Sequence, residues 1–369
     1  MLAVTSDLSL ILMDGVPEDL ACRGWDVAVV ASDGPRLQRL RRAGTVTHVV
    51  EMEREPHPTR DVAAFWEWVR LLRGCRPDVV VAGTPKAGLL GMVAAALTRV
   101  PVRIYLVRGL RLETTSGASR RVLLALERLA ARAATHVVPV SASLRDVLVA
   151  EGIGPGSKMS VVGSGSSNGV VIPRAEGLDL RPPKPGGPVI GFIGRPSEDK
   201  GLDLLLDALA VLAARGVAGT FVHVGGGLDE QDGQLAGPRQ AGWAIRILGE
   251  LADVAPVYPQ LDILCLPTKR EGFPNVVLEA AAAGVPTVAT EATGISDAIL
   301  DGQTGIVVRT RTPEAFAESL RELAANRDRL AALGEAARRR AQTDFDRPVV
   351  QERYAEFYRR ALHEVSLRR

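Results

Sequence analysis

The sequence has few cysteines and few aromatic residues, and it contains no long apolar run. Its three cysteines, Cys22, Cys75 and Cys265, are odd in number and widely spaced, which argues against a disulfide framework or a cysteine metal site. They predict buried free thiols in a reducing compartment. The longest charge-free apolar stretch, residues 87–98, is well below the ~20 residues that cross a bilayer. The first residues also lack the basic region of a signal peptide, so we expect a cytoplasmic protein.

Neither sign of charge dominates the chain. There are 45 Lys and Arg against 43 Asp and Glu, a formal net charge of +2, with the slight basic excess in the first half. This balance argues against a nucleic-acid partner. The basic excess either belongs to ordinary solvated faces or draws the protein towards an anionic membrane or a phosphate-bearing acceptor.

Residues 119–134 predict an amphipathic helix with a basic rim. Val122, Leu126 and Leu129 share one face, and arginines surround them. This pattern is typical of a surface helix packed on the core. The alternative is a face that rests on lipid headgroups, which would place the protein at the inner side of the membrane.

The length of 369 residues predicts two globular domains. The segment 173–184 is rich in Pro and Gly and is typical of a linker, which gives an N-terminal domain over 1–172 and a C-terminal domain over 185–344. In both, short apolar strands alternate with helical patterns, one of which spans Leu8 to Arg23. The pattern predicts an α/β protein with parallel, doubly wound sheets.

The first domain lacks a G-x-G-x-x-G motif after its first strand, so NAD or FAD is not expected. It carries cations after later strands instead: Lys86 follows one, and Arg108 and Arg111 follow the next. Cations at neighbouring strand ends can converge on phosphate or carboxylate oxygens. The alternative is that they pair with the acidic segment 51–55.

The second domain opens with the strand 189–193, followed by a loop that begins at Gly194 and carries Arg195 and Lys200. Two cations between a strand and a helix are placed to neutralise a diphosphate. Taken alone, such a pair is more often surface charge.

Residues 261–289 predict a strand, a loop, a helix and a second strand. The loop carries Glu271, and Glu279 lies on the helix in the string EGFPNVVLEA. Ligands of open α/β sheets bind at the carboxyl ends of strands, where a free helix N-terminus also attracts anions. The alternative is an exposed loop glutamate and an unrelated glutamate on a helix surface.

Together, Arg195, Lys200 and the string EGFPNVVLEA resemble the donor-binding signature of retaining glycosyltransferases of family 4. The resemblance implies the glycosyltransferase B architecture, in which two Rossmann-like domains face a central cleft, with the final helix, 347–369, packed back on the first domain. It also implies roles for individual residues. Arg195, Lys200 and the amides of Val276 and Val277 would stabilise the departing diphosphate, Glu271 would bind the donor sugar near the reacting carbon, and Glu279 would hold the ribose hydroxyls. The remaining donor-binding residues implied are Gly194, Gly272, Phe273 and Asn275.

The N-terminal half resembles the acceptor domain of family members that extend polyprenyl-diphosphate-linked sugars for surface polysaccharides or glycans. The implied activity is that of a hexosyltransferase that moves a sugar, such as an N-acetylhexosamine, from a UDP-sugar to a lipid-diphosphate-linked or glycan acceptor. Lys86, Arg108 and Arg111 would bind that acceptor. No cofactor or metal is expected, because the cations and the helix supply the charge and the D-x-D at 344–346 is interpreted as helix capping.

Two other interpretations of the sequence remain open. One is a UDP-sugar 2-epimerase-like enzyme on the same architecture, which would need acid and base residues facing the sugar in both domains. The other is a non-catalytic sugar-nucleotide-binding protein, which would be expected to lose Glu271, Arg195 or Lys200.

Overall fold

A computed structural model describes residues 1–53, 55, 57–172 and 187–367. The predicted linker, 173–184, lies outside these residues. The chain forms two compact units, one made of Met1–Asn168 with Pro348–Arg369 and the other of Gly169–Arg347. The first unit therefore ends shortly before the predicted limit at residue 172.

The first unit contains a six-stranded parallel sheet in the order β3-β2-β1-β4-β5-β6. The strands are β1 (Leu2–Ala3), β2 (Ala28–Ala31), β3 (Val46–Val49), β4 (Val79–Ala82), β5 (Val102–Val107) and β6 (His136–Pro139). The helices are α1 (Val16–Cys22), α2 (Pro35–Arg42), α3 (Pro58–Cys75), α4 (Pro85–Leu97), α5 (Gly117–Ala133) and α6 (Ala142–Ala150). The central strand β4, VVVA, is buried throughout, as helices on both faces of a parallel sheet require.

Two predictions for this unit are wrong. The single helix over Leu8–Arg23 is instead a 3₁₀ helix, Asp7–Met13, followed by α1, because Gly15 takes a left-handed conformation with φ 73° and ends the first segment. The cysteines are not all buried: Cys265 is, but Cys22 and Cys75 are exposed free thiols.

The second unit repeats the architecture, with a six-stranded parallel sheet in the order β12-β11-β10-β7-β8-β9. The strands are β7 (Val189–Ile193), β8 (Thr220–Val224), β9 (Ala244–Ile247), β10 (Ile263–Leu266), β11 (Thr287–Thr290) and β12 (Gly305–Val308). The helices are α7 (Leu202–Ala214), α8 (Ala236–Gln240), α9 (Asn275–Ala282), α10 (Ile295–Ala298), α11 (Pro313–Ala325) and α12 (Arg327–Arg340). Its largest cluster of core residues includes Ile190, Phe192, Leu205 and Phe316.

The last helix, α13 (Arg347–Ser366), contributes all but its first residue to the first unit. Its buried residues include Tyr354, whose hydroxyl donates to the carbonyl of Ser166 at 3.0 Å, and Tyr358, whose ring meets Trp25 edge-on at 6.3 Å. An apolar face of this kind, buried against the unit, stabilises the helix in place. Within the described ranges, no helix is both long and apolar enough to cross a membrane.

Candidate active site

The sequence-predicted donor residues lie at the point in the second sheet where the strand order reverses. Strands β7 and β10 are neighbours, but the chain continues from β7 to β8 on one side and from β10 to β11 on the other. The loops that follow β7 and β10 therefore lie side by side at the carboxyl edge, with no crossing helix between them. Such an edge is where open α/β sheets bind ligands.

Lys200 and Glu271 meet at this edge although they are far apart in sequence. The Nζ atom of Lys200 donates to Oε1 of Glu271 at 2.5 Å. The glutamate side chain is 11% exposed and the lysine 33%, so the cation keeps the greater access to solvent. The pair is thus a ready source of positive charge for an anion that displaces the carboxylate.

The two loops are joined by further ion pairs that the sequence-based argument missed. Arg270 donates from both Nε and Nη2 to Oδ2 of Asp199, at 3.0 and 2.6 Å. Lys269 pairs with Glu198 at 2.6 Å. The opposite signs of the segments 198–200 (EDK) and 269–271 (KRE) were a usable signal in the sequence.

The backbone at this edge is also closely packed. Gly201 has φ 69°, and a β-carbon there would lie 2.1 Å from the carbonyl oxygen of Pro267. The buried hydroxyl of Thr268 lies 3.0 Å from the carbonyl oxygens of both Asp199 and Arg270, which share its one proton. Glycine is required at position 201, because any side chain would push the two loops apart.

Arg195 lies on the same loop as Lys200, and its residue is exposed. The preceding Gly194, with φ 144°, is held by its amide, which donates to Val224 at 2.8 Å, and by its carbonyl, which lies 3.0 Å from Nε2 of His223. His223 is fully buried, and burial lowers its pKa, so it is a neutral donor to that carbonyl. Arg195 therefore extends from an anchored turn into solvent.

Helix α9 begins at Asn275, and Pro274 occupies its N-cap position. The amide of Val277 donates to the carbonyl of Pro274 at 3.1 Å, so it is already used within the turn. The amides of Asn275 and Val276 are the first-turn donors that no intrahelical acceptor can reach. The anion-binding potential of this helix rests on those two.

Glu279 lies one turn further into α9, away from any cation of the Lys200 loop. It accepts a short hydrogen bond from the hydroxyl of Tyr258, a residue that sequence reasoning missed. Burial raises the pKa of Glu279, and the Tyr258 hydrogen bond and the charge of Arg347 oppose this rise. Glu271 and Glu279 thus have different environments: one faces a lysine and the other a phenol.

Gly272 and Phe273 connect the two glutamates. A β-carbon on Gly294, which has φ 78°, would lie 2.3 Å from the carbonyl oxygen of Gly272, so two backbones touch here. The ring of Phe273 lies 5.3 Å from that of Phe345. Both residues are therefore fixed by contacts within the second unit.

The predicted acceptor residues of the first unit do not form one cluster. Lys86 is the second residue of α4, beside the point where the strand order reverses between β1 and β4. Its Nζ lies 2.7 Å from Oδ1 of Asp61 and 2.6 Å from the carbonyl oxygen of Glu55. Arg111 lies 3.9 Å from the carboxylate of Glu55. Arg111 therefore approaches the acidic segment, as the alternative interpretation proposed, whereas the carboxylate that pairs with Lys86 is Asp61, outside that segment.

Arg108 has different hydrogen-bond partners from the other two cations. Its Nη1 donates to Ser167 and, at 2.9 Å, to Oδ1 of Asn168. Burial lowers the pKa of its guanidinium to about 10, and its buried Nε has no hydrogen-bond partner among the described residues. The guanidinium lines a cavity of about 30 Å³ with Gln351 and Tyr354.

The described residues contain no group of three or more His, Cys, Asp or Glu side chains arranged to hold a metal. Asp344 of the D-x-D lies 3.7 Å from Nε of Arg340, one turn earlier in the chain. Asp346 follows a short π-helical turn, Ala341–Phe345, and directly precedes α13.

Comparisons with known proteins agree with this two-part arrangement. Residues 17–165 match the family described as glycosyl transferase 4-like domain, and residues 187–326 match the family described as glycosyl transferases group 1. The matched ranges contain the two sheets almost completely.

Similar proteins include glycosyltransferases of surface polysaccharides. The capsular polysaccharide biosynthesis glycosyltransferase CapM of Staphylococcus aureus is 31% identical, over 98% of this chain and 97% of its own length. A Campylobacter jejuni N,N'-diacetylbacillosaminyl-diphospho-undecaprenol alpha-1,3-N-acetylgalactosaminyltransferase is 23% identical, over 92% of each chain. The structure of Anabaena Alr3699/HepE in complex with UDP and glucose superposes with a TM-score of 0.75 at 20% identity, over 97% of this chain and 98% of that one. The chain therefore belongs to glycosyltransferase family 4, has the two Rossmann-like domains of the glycosyltransferase B fold, and is a glycosyltransferase of the kind used in surface polysaccharide synthesis.

Proposed function

We propose that the protein transfers a hexose or N-acetylhexosamine, with retention of anomeric configuration, from a UDP-sugar to a polyprenyl-diphosphate-linked acceptor. The observation that carries the proposal is the Lys200–Glu271 pair, at 2.5 Å, on two adjacent strand ends. UDP as the donor nucleotide is further supported by the UDP and glucose bound to the structural neighbour.

The chemical role of the pair follows from where charge develops. As the bond to the sugar breaks, negative charge grows on the departing diphosphate, and preorganised cations that face it lower the barrier. Lys200 supplies one such charge and Arg195 the other, with the first-turn amides of Asn275 and Val276 as neutral donors. Because these groups suffice to neutralise a diphosphate, the proposed transfer needs no metal.

The two glutamates then act on different parts of the donor. When a diphosphate takes up Lys200, the carboxylate of Glu271 is released and can accept hydrogen bonds from sugar hydroxyls near the reacting carbon. Glu279 binds the ribose hydroxyls, and Tyr258 holds its carboxylate in one orientation. Gly272 and Phe273 shape the pocket for the donor sugar.

The acceptor is assigned to the first unit. Lys86 and Arg111 offer two cations around Glu55, and Arg108 offers a third from a separate position. A diphosphate carried by a polyprenyl lipid is an anion that such cations recognise. The name of the Campylobacter relative includes diphospho-undecaprenol, a polyprenyl diphosphate. This supports the same class of acceptor for the present protein.

A lipid-linked acceptor also requires contact with a membrane. In a cytoplasmic protein, helix α5 has a surface suited to the inner face of that membrane. Val122, Leu126 and Leu129 are 58%, 37% and 44% exposed, and the neighbouring Arg121 and Arg132 are exposed too. Apolar side chains flanked by arginines favour an anionic bilayer surface. In sedimentation with phosphatidylglycerol vesicles, Leu126→Glu should reduce binding, while Leu97→Glu, at an exposed leucine on α4, serves as the control.

The direct test is a transfer assay with an undecaprenyl-diphosphate disaccharide as acceptor. A panel of UDP-sugars is tested as donors, and GDP-mannose is tested as an alternative donor. We expect a product from a UDP-sugar, with the donor's α configuration visible in the NMR coupling constant, and equal rates in EDTA and in Mg²⁺. Product formation only from GDP-mannose would refute the nucleotide assignment. An inverted anomer or loss of activity in EDTA would refute the stereochemical or the metal assignment.

A further inference from the structure

The edge of the second sheet carries two charge triplets of opposite sequence that pair in order. Residues 198–200 meet residues 269–271 through three ion pairs, Glu198–Lys269 at 2.6 Å, Asp199–Arg270 at 2.6 Å and Lys200–Glu271 at 2.5 Å. Only the third pair has a role in the proposed reaction. The other two invite an explanation, because surface ion pairs by themselves contribute little stability.

The middle pair is built differently from the outer one. Asp199 and Arg270 are 32% and 25% exposed, whereas in the outer pair Lys269 is 32% and Glu198 is 87% exposed. Two nitrogens of Arg270 share one oxygen of Asp199, and the carbonyl of Asp199 also accepts the amide of Lys269 at 2.7 Å. The middle pair is therefore fixed by side-chain and backbone contacts together, whereas the carboxylate of the outer pair is largely open to water.

We infer that Asp199 and Arg270 are positioning residues that fix the separation of Lys200 and Glu271; the inference rests on the proposed function. Each is the direct neighbour in sequence of the residue that it positions. When a donor diphosphate binds Lys200 in place of Glu271, the Lys200–Glu271 ion pair no longer joins the two loops. The Asp199–Arg270 pair then keeps the loops in register during transfer.

The size of the expected effect follows from the demands of preorganised catalysis, in which a displacement of about 1 Å can cost ~10²-fold in rate. Asp199→Asn and Arg270→Gln should each lower kcat by about 10- to 100-fold. UDP affinity should stay within about 3-fold of wild type, because neither residue is assigned to the nucleotide. Glu198→Gln and Lys269→Gln, in the outer pair, are the matched controls and should retain wild-type kcat.

Two further variants separate positioning from other roles. In a Lys200→Ala background, adding Asp199→Asn should lower kcat by less than about 2-fold, because residues that act as one unit are not additive. The exchange Asp199→Arg with Arg270→Asp should recover at least part of the activity lost in either single variant. A wild-type melting temperature for Asp199→Asn would exclude a general loss of folding.

The possible results divide cleanly. A loss in Arg270→Gln but not in Asp199→Asn would mean that Arg270 contacts substrate itself, and equal losses in the outer pair would mean that the whole loop contact matters; either result overturns the inference. Full turnover in both middle variants, with a large loss in Lys200→Ala, would overturn it and leave the proposed function standing. Full turnover in Lys200→Ala and Glu271→Ala would instead overturn the proposed function.

Discussion

The two units have the same sheet topology but differ in what they place where the strand order reverses. In the second unit the loops after β7 and β10 bring oppositely charged side chains together, with Lys200 turned towards solvent. In the first unit the loops after β1 and β4 meet through hydroxyls: the Thr5 and Thr84 side chains are 2.7 Å apart, and the Thr5 amide donates to the same Thr84 oxygen at 2.9 Å. The shared architecture fixes where a site can form, and the loop residues decide which ligand it can bind.

A second difference concerns buried carboxylates that accept a tyrosine hydroxyl. Glu127 on α5 accepts from Tyr105 at 2.6 Å, and Glu279 on α9 accepts from Tyr258. Glu279 lies one turn into α9, a helix of 8 residues that follows β10, whereas Glu127 lies in the interior of α5, a helix of 17 residues. The same local pairing lies beside the proposed donor site in one unit, whereas in the other it includes no residue assigned to the reaction.

The largest effect on turnover should come from removing the two cations of the second unit. Arg195→Ala and Lys200→Ala should each reduce turnover by ~10²–10³-fold, because each supplies a fixed charge to the leaving diphosphate. Initial rates of sugar transfer measure this. Near-normal rates in both variants would show that the charged edge does not act on the diphosphate.

The two glutamates of that edge should separate binding from transfer. Glu279→Ala should weaken UDP binding by about 10-fold through lost hydroxyl contacts, as measured by calorimetry. Glu271→Ala should impair transfer, because the carboxylate that binds the donor sugar is lost. It should not weaken UDP binding, because the change releases Lys200 from its ion pair. Tyr258→Phe should weaken UDP binding less than Glu279→Ala does. The reverse pattern would exchange the two roles.

Substitution of the three cations in the first unit should affect binding of the acceptor and not of the donor. Lys86→Gln and Arg111→Gln should each raise the acceptor KM by roughly 10-fold without changing UDP affinity. Arg108→Gln should do the same and also lower the melting temperature, since its guanidinium bonds Ser167 and Asn168. Asp61→Asn, which removes the partner of Lys86, is a control for loss of the ion pair alone. A change in UDP affinity in any of the three variants would contradict the assignment of the acceptor to the first unit and the donor to the second.

The smallest expected effect is on stability and comes from the carboxylate of Glu127. Burial raises the pKa of Glu127 to about 7, from 4.5 in the unfolded chain, and Tyr105 donates to it against that trend. The folded state therefore binds more protons between these values, so stability should fall as pH rises through this window, by on the order of 2 kcal/mol. Denaturant unfolding at pH 5 and pH 8 should show the slope, and Glu127→Gln should flatten it while leaving UDP affinity unchanged. A slope of the same size in Glu127→Gln would assign it to another group.

Much of the fold was readable from the sequence because its signals are local. Apolar strands such as VVVA at 79–82, alternating with helical patterns, predicted two α/β domains, and the string EGFPNVVLEA with Arg195 and Lys200 predicted the family. The Leu8–Arg23 prediction was wrong because apolar periodicity there outweighed one glycine, Gly15, whose left-handed conformation interrupts the helix.

The sequence by itself determined which residue types stand at the strand ends, but only the tertiary structure decided which of them meet. Tyr258 precedes β10 by a few residues and gives no local sign that it contacts Glu279, and Asp199 is separated from Arg270 by three strands and two α-helices. The same holds for Lys86 and Arg111, whose common neighbour is Glu55. A parallel sheet brings the ends of non-consecutive strands together, so contacts at its edge depend on strand order, which no single segment encodes.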